Sequence, residues 1–222
     1  MRAEIEKKLK YKFRDGALLE RAFTHSSAPS GKPDYQSLEF LGDSVLSFVV
    51  SKRLFAAHPS ANEGKLTKMR ACVVSAEPLA EAVRALGISG YIVAGEHEIE
   101  HGLRENNSIL CDIYESVTAA IFLDGGMGAA EDFIVRTLGS VIGSASSAIK
   151  KADAKSRLNE YALKHGTTAT YRETAREGSP ENPVFEFEAV LGDKVMGSGR
   201  GATKREAQQI AAQNALDKLT KV

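Results

Sequence analysis

Two pairs of carboxylates in this 222-residue chain stand at helical spacing among apolar neighbours. Glu39 and Asp43 are four residues apart in Ser37-Leu38-Glu39-Phe40-Leu41-Gly42-Asp43-Ser44-Val45-Leu46, so a helix puts them on one face. Leu38, Leu41, Val45, Phe48 and Val49 leave that helix little polar surface, which predicts burial. Asp112 and Glu115 are three apart and also share a face, in an apolar run from Ile109 to Leu123. Buried carboxylates without a countercharge are costly. Four of them call for a common cation, and hard oxygen donors in that number suit Mg²⁺, with Mn²⁺ able to substitute. Either pair alone could be a solvated helix-surface pair, but two helices lacking a polar side argue against it. Glu63, at a loop-to-helix junction, is a further acidic candidate.

The elements that must position these groups are helical. Asp15 is placed to cap a helix carrying Leu18, Leu19, Ala22 and Phe23. Thr24 to Pro33 has loop composition, and His25 within it reads as a hydrogen-bonding residue that fixes local structure. The first carboxylate helix runs to about Ala57 and is broken by His58-Pro59. Lys65, Lys68 and Arg70 then form either a solvated face or a phosphate-facing patch near the metal site. Ser75 is placed to cap a helix stopped by Gly87, and residues 88–107 read as loop. The second carboxylate helix ends at Asp124-Gly125-Gly126, and another spans about Ala129 to Val141. No convincing alternating strand occurs in the first 140 residues or so, which predicts an all-α domain over 1–145.

Residues 146–153 are small, polar and basic and read as a linker. The periodicity then changes. Phe185, Phe187, Ala189 and Leu191 alternate with Glu186, Glu188 and Val190 in a strand buried on one side. It sits between a β-rich Ala169–Thr174 and a third strand from Lys194 to Gly201. Thr203 and Glu206 form a capping box for a helix burying Ala207, Ile210, Ala211, Ala215 and Leu219. The order over 154–222 is α-β-β-β-α, a small α+β domain. Gly197, Gly199 and Gly201 are read as letting backbone approach a partner, and Lys204 and Arg205, in the first turn of the last helix, fit phosphate binding.

Net charge is zero, with 17 basic and 19 acidic residues over 1–150 and 12 and 10 over 151–222, so nucleic-acid binding must rest on placement of charge. Cys72 and Cys111 lack metal-type spacing and read as buried free thiols, which fits a reducing compartment. Nothing resembles a membrane span or a signal peptide, and the expectation is a cytoplasmic protein.

Over nearly its whole length the chain resembles the bacterial ribonuclease III family. Leu38 to Leu46 looks like that family's signature, and Asp112-Ile113-Tyr114-Glu115 with Phe122-Leu123-Asp124-Gly125-Gly126 looks like its second acidic helix. Residues 153–222 look like a double-stranded-RNA-binding domain, Gly199 to Ala207 most of all. The resemblance implies a homodimeric, metal-dependent endonuclease for double-stranded RNA. Such an enzyme leaves 5′-phosphate and 3′-hydroxyl ends, acts on ribosomal RNA precursors and other structured RNAs, and needs no small-molecule cofactor. It assigns the metal to Glu39, Asp43, Asp112 and Glu115, a place near the scissile phosphate to Glu63, and the dimer interface to Phe40. It assigns RNA contacts to Ser156, Asn159, Glu160, Glu181, Thr203, Lys204 and Arg205. Three positions depart from the family pattern: Gln36 stands where a glutamate is usual, Asn159 for a glutamine, and Glu181 near a histidine. Gln36, which Asp34 could compensate, motivates an alternative, a catalytically weakened or inactive RNA-binding protein on the same fold. A metal-dependent phosphohydrolase for small nucleotides is a third reading, and it leaves residues 153–222 without a purpose.

Overall fold

The computed structural model describes residues 2–29, 31, 33–152, 154–179 and 182–220. The chain divides into two compact units between Ala145 and Ser146. The first is helical: α1 (Arg2–Leu9), α2 (Gly16–Ala22), α3 (Gln36–Ala57), α4 (Glu63–Val73), α5 (Ala76–Leu86), α6 (Glu96–Glu100) and the greater part of α7 (Asn107–Ala152). Single 3-10 turns at Ser89–Tyr91 and Leu103–Glu105 flank α6, so the stretch expected as loop over 88–107 holds short helical pieces. No described helix is long and apolar enough to cross a membrane.

α7 is the axis of this unit. Residues 113–121 are buried all round, as the apolar run predicts. At Gly126 the backbone turns to φ 80°, ψ −179°, which breaks the helix and which L side chains rarely adopt. Just before the break, Asp124 gathers the N-terminal loop. Its carboxylate, 2 % exposed, accepts from the Tyr11 hydroxyl at 2.6 Å and from the backbone N–H groups of Arg14 and Asp15 at 3.0 and 2.8 Å. Burial alone would raise the Asp124 pKa, but these donors outweigh it and hold the carboxyl below its ordinary value. Asp124→Ala should lose about 2–4 kcal/mol of stability in urea melts near neutral pH. Because the folded pKa is depressed, Asp124's contribution is present above its ordinary value and lost as pH falls through the folded one, so the two chains should converge in acid.

Capping follows the sequence in part. Asp15 Oδ1 accepts from Ala17 N and Gly87 closes α5 at φ 65°, as expected. Ser75 occupies the N-cap of α5, but its hydroxyl donates back to the Cys72 carbonyl. α3 is not buried all round. Leu38, Gly42, Val45, Leu46, Val49, Val50 and Leu54 face inward, while Phe40, Phe48 and Phe55 are 79, 57 and 70 % exposed. The segment expected as a linker is helical as far as Ala152; alanines 145 and 148 favour helix more than serine favours loop. Asp153 lies outside the described residues.

The second unit has α8 (Ala154–Lys164), β1 (Ala169–Ser179), β2 (Asn182–Leu191), β3 (Lys194–Gly201) and α9 (Lys204–Leu219). The sheet is antiparallel in the order β1-β2-β3, with Tyr171 opposite Ala189 and Phe187 opposite Gly199. Phe185, Phe187 and Ala189 are the buried positions of β2, as alternation predicts. Ala189 packs with Ala154 and Leu158 of α8 and with Ala211, Ala212, Ala215 and Leu216 of α9. Ile210, expected in this core, is instead 37 % exposed, and Ala212 takes the inward place.

The β3 glycines correct another expectation. A Cβ at Gly197 would lie 2.5 Å from Ala211 O, one at Gly199 2.5 Å from Ala207 O, and one at Gly201 2.8 Å from Ala207 N. The partner they admit is the α9 backbone, whose Ala207, Ala211 and Ala215 are equally small.

Candidate active site

The site is built where α3 crosses α7. Gly42 is the contact: a Cβ there would run into the Glu115 carbonyl. Glycine in mid-helix is unfavourable by about 1 kcal/mol against alanine, so its presence marks a close approach of backbones. The approach sets Glu39 and Asp43, one turn apart on α3, against Asp112 and Glu115 on α7.

The charges register one another. Burial pushes the Glu115 carboxyl up to about 8, reinforced by Asp43, Asp112 and Glu39 in that order. Burial also raises Glu39, with Asp112 and Asp34 adding to it. Asp112 is raised by burial, against the opposing pull of the Tyr35 hydroxyl and of His25. Glu115 is 9 % exposed, Glu39 and Asp112 are half-buried and Asp43 is exposed. Among the described residues no lysine or arginine is ion-paired with any of the four. Four mutually repelling carboxylates, one of them buried, with no lysine or arginine paired to them among the described residues, fit a divalent ion held through oxygen.

Several side chains that fix the site escaped the spacing argument. Tyr35, 3 % exposed, donates its hydroxyl to Asp112 Oδ2 at 3.2 Å, and burial raises its own pKa. The His25 ring lies edge-on to Tyr35, with centroids 5.8 Å apart, and its Nδ1 meets the Ser27 hydroxyl at 2.8 Å. His25 thus has the local role expected of it, one residue removed from Asp112. Ser116, fully buried, donates to the Asp112 carbonyl at 2.7 Å. Gln36, the first residue of α3, is exposed, and its N–H bonds to Asp34 Oδ1 at 3.0 Å.

Glu63 is not part of this cluster within one chain. It opens α4, accepts from the Thr67 hydroxyl at 2.9 Å and lines a groove with Phe48, Phe55, Leu66 and Arg70. Arg70 points into the same groove, 3.2 Å from the Ser51 hydroxyl. Of the basic residues of α4, Arg70 therefore belongs to this groove.

In the second unit Ser156, Asn159 and Glu160 are exposed at helical spacing on α8, and Thr203, Lys204 and Arg205 are exposed at the start of α9. Thr203 caps α9 by accepting from Glu206 N, and Glu206 reaches back to Ala202 N, one residue beyond the expected return bond at Thr203 N. Lys204 is not free: its ammonium bonds to Glu173 on β1 at 2.7 Å and lies 5.6 Å from the Phe185 ring centroid. Glu181 lies outside the described residues.

Comparison with known proteins covers both units. Residues 15–141 match the family model Ribonuclease-III-like, and residues 154–219 match the double-stranded RNA binding motif. Ribonuclease 3 of Symbiobacterium thermophilum is 38 % identical over 219 residues, 97 % of this chain and 93 % of that protein. Ribonuclease 3 of Geobacter metallireducens is 36 % identical over 220 residues, 96 % of this chain and 89 % of that protein. A solved nuclease domain of ribonuclease III from Campylobacter jejuni, 34 % identical, superposes with a TM-score of 0.60 over 62 % of this chain and 95 % of its own; it is described with structural flexibility in a region involved in dimer formation.

Proposed function

The chain belongs to the ribonuclease III family, endonucleases of double-stranded RNA, and from that premise we propose that Glu39, Asp43, Asp112 and Glu115 are its cutting centre. The observation that carries this is the α3–α7 crossing at Gly42, which sets four carboxylates together with no lysine or arginine ion-paired to them among the described residues. Mg²⁺ is the ion that the oxygen donors suit, with Mn²⁺ able to replace it. When bound, such an ion lowers the pKa of a water and neutralises charge on the phosphate and leaving oxygen. The protein's part is to hold the donors still. Tyr35 orients Asp112, Ser116 ties the α7 turn beneath it, and the close packing at Gly42 fixes the two helices against each other. The water oxygen adds to phosphorus, the bond to the 3′ oxygen breaks, and the departing oxygen takes up a proton. The ends are a 5′-phosphate and a 3′-hydroxyl. No histidine or cysteine nucleophile is required.

RNA is held by shape, 2′-hydroxyl and phosphate contacts rather than by base reading, with Ser156, Asn159, Glu160, Thr203, Lys204 and Arg205 as the proposed contacts. Structured RNAs, ribosomal precursors among them, are the proposed substrates, and the cytoplasm the proposed location. The two free cysteines support a reducing compartment.

The working unit is proposed to be a homodimer. Phe40, Phe48 and Phe55 expose a line of aromatic surface along one helix, more than a solitary soluble unit leaves bare. The Campylobacter domain, described with a dimer-forming region, agrees. Phe48→Glu should shift the sedimentation mass from two chains to one; a variant that stays two chains would argue that another surface pairs them.

The decisive test is cleavage of a fully paired RNA duplex with and without Mg²⁺, for this chain and for Gln36→Glu. We expect Mg²⁺-dependent cutting by both, because Asp34 already supplies negative charge beside Glu39. Binding without cutting by either form would leave only the RNA-binding role.

A further inference from the structure

Cys111 stands inside the carboxylate cluster, and a thiol there changes which ions the cluster can take. The Cys111 Sγ and a carboxylate oxygen from each of Asp112 and Glu115 all lie within 4.8 Å of one another. Cys111 and Glu115 are four residues apart on α7 and face the same way, with Sγ 3.9 Å from Glu115 Oε1. Glu115 is nine-tenths buried, yet among the described residues the one hydrogen bond its carboxylate receives comes from that sulfur. Among the described residues, then, a carboxylate nine-tenths buried has a thiol as its hydrogen-bond donor, a weak partner for a charge and a good half of a metal site.

Sulfur does nothing for Mg²⁺, which demands oxygen in near-octahedral array. It does much for Zn²⁺ and ions like it, which bind thiolate at about 2.3 Å and carboxylate at about 2.0–2.2 Å and accept irregular sets of three protein donors plus water. Donors around such an ion sit about 3.5 Å apart. The three here lie within 4.8 Å of one another, close to that spacing.

We propose that Cys111, Asp112 and Glu115 form a site for a thiophilic divalent cation of the Zn²⁺ or Cd²⁺ class, which excludes Mg²⁺ from the cluster because Asp112 and Glu115 are common to both. The thiol proton leaves to solvent as the sulfur–metal bond forms, and no oxidant or reductant is involved. The binding step stands on Cys111 and its neighbours alone; the consequence, inhibition of cutting, rests on the proposed role of the carboxylates.

The experiment titrates the full, metal-stripped chain with Cd²⁺ and reads the ultraviolet charge-transfer absorption of thiolate bound to cadmium. Cys72, on α4, is the other thiol, so Cys72→Ser and Cys111→Ser are measured beside the parent. The parent and Cys72→Ser should show the band, saturating near one equivalent, and Cys111→Ser and Cys111→Ala should lack it while keeping the parent's circular dichroism. In parallel, the Zn²⁺ concentration that halves Mg²⁺-dependent cleavage should rise about tenfold or more on removing the thiol. A band that survives in Cys111→Ser, or vanishes in Cys72→Ser, overturns the proposal. Cleavage without the parent's band also overturns it, leaving the cutting centre intact. A Cys111-dependent band in a chain that does not cut supports the site and rejects the cutting centre, so the two failures are told apart.

Discussion

Glu115→Gln should reduce duplex cleavage by at least about a hundredfold while leaving RNA binding unchanged, because it removes the most buried donor of the cluster and leaves the sequence of the double-stranded RNA binding motif at 154–219 intact. Undiminished cleavage would reject the cutting centre proposed here. The same substitution should stabilise the metal-free protein, and pH gives this second effect its sign. In the folded chain without divalent ions the Glu115 carboxyl titrates at about 8, against an ordinary value of 4.5. Between those values the unfolded chain has released a proton that the folded chain keeps, so the parent loses stability as pH rises across that window and levels off above it. Glutamine carries no such proton. In a chelator, the melting temperature of Glu115→Gln should therefore pull ahead of the parent's from about pH 4.5 to about pH 8 and keep a constant lead beyond. Added Mg²⁺ should reverse the order, since it stabilises the chain that can bind it. Loss of activity alone could come from a damaged fold. Loss of activity together with a gain in metal-free stability can come only from a residue kept for its charge.

How much of this was legible beforehand differs from residue to residue, for physical reasons. The carboxylates were legible because four- and three-residue spacings fix a shared helix face whatever the tertiary structure does. The strand around Phe187 and the cap at Thr203 were legible for the same reason, being local patterns. Phe48 departs from the expectation because apolarity alone does not say which side of a helix a residue faces. Its helical phase lies within about 20° of Phe55 and away from Gly42 and Leu46, at the centre of the buried face. The β3 glycines were misread because a glycine announces that something approaches without saying what. The other half of the signal is local: alanines at 207, 211 and 215, every fourth residue on the last helix. Tyr35 and Asp124 could not have been found by spacing. Their partners lie 77 and about 110 residues away, and only the packed chain brings them together.

Gly42→Ala should destabilise the protein by about 3 kcal/mol or more and weaken Mg²⁺-dependent cutting with it. The sign of the stability change is what makes the measurement worth having. On helix propensity alone, alanine in mid-helix is better than glycine by about 1 kcal/mol, so an isolated α3 should be strengthened by the change. The new methyl, however, meets the Glu115 carbonyl, a backbone group of a buried helix with no rotamer by which to yield. Either α3 moves away from α7 or the α7 backbone shifts at the residue that carries the most buried carboxylate. Both displace Glu39 and Asp43 from Asp112 and Glu115, and a displacement of about 1 Å is enough to degrade a site whose donors must meet one ion. The two readouts should therefore fall together: lower urea midpoint, and a higher Mg²⁺ requirement in the fraction still folded. Gly139→Ala is the matched comparison, a glycine of α7 where an added Cβ meets nothing within 4 Å. There propensity acts unopposed, and the change should be neutral or mildly stabilising. If Gly42→Ala behaved like Gly139→Ala, the two carboxylate helices would not be held by contact at this point, and what sets the four acids against one another would have to be sought elsewhere in the fold.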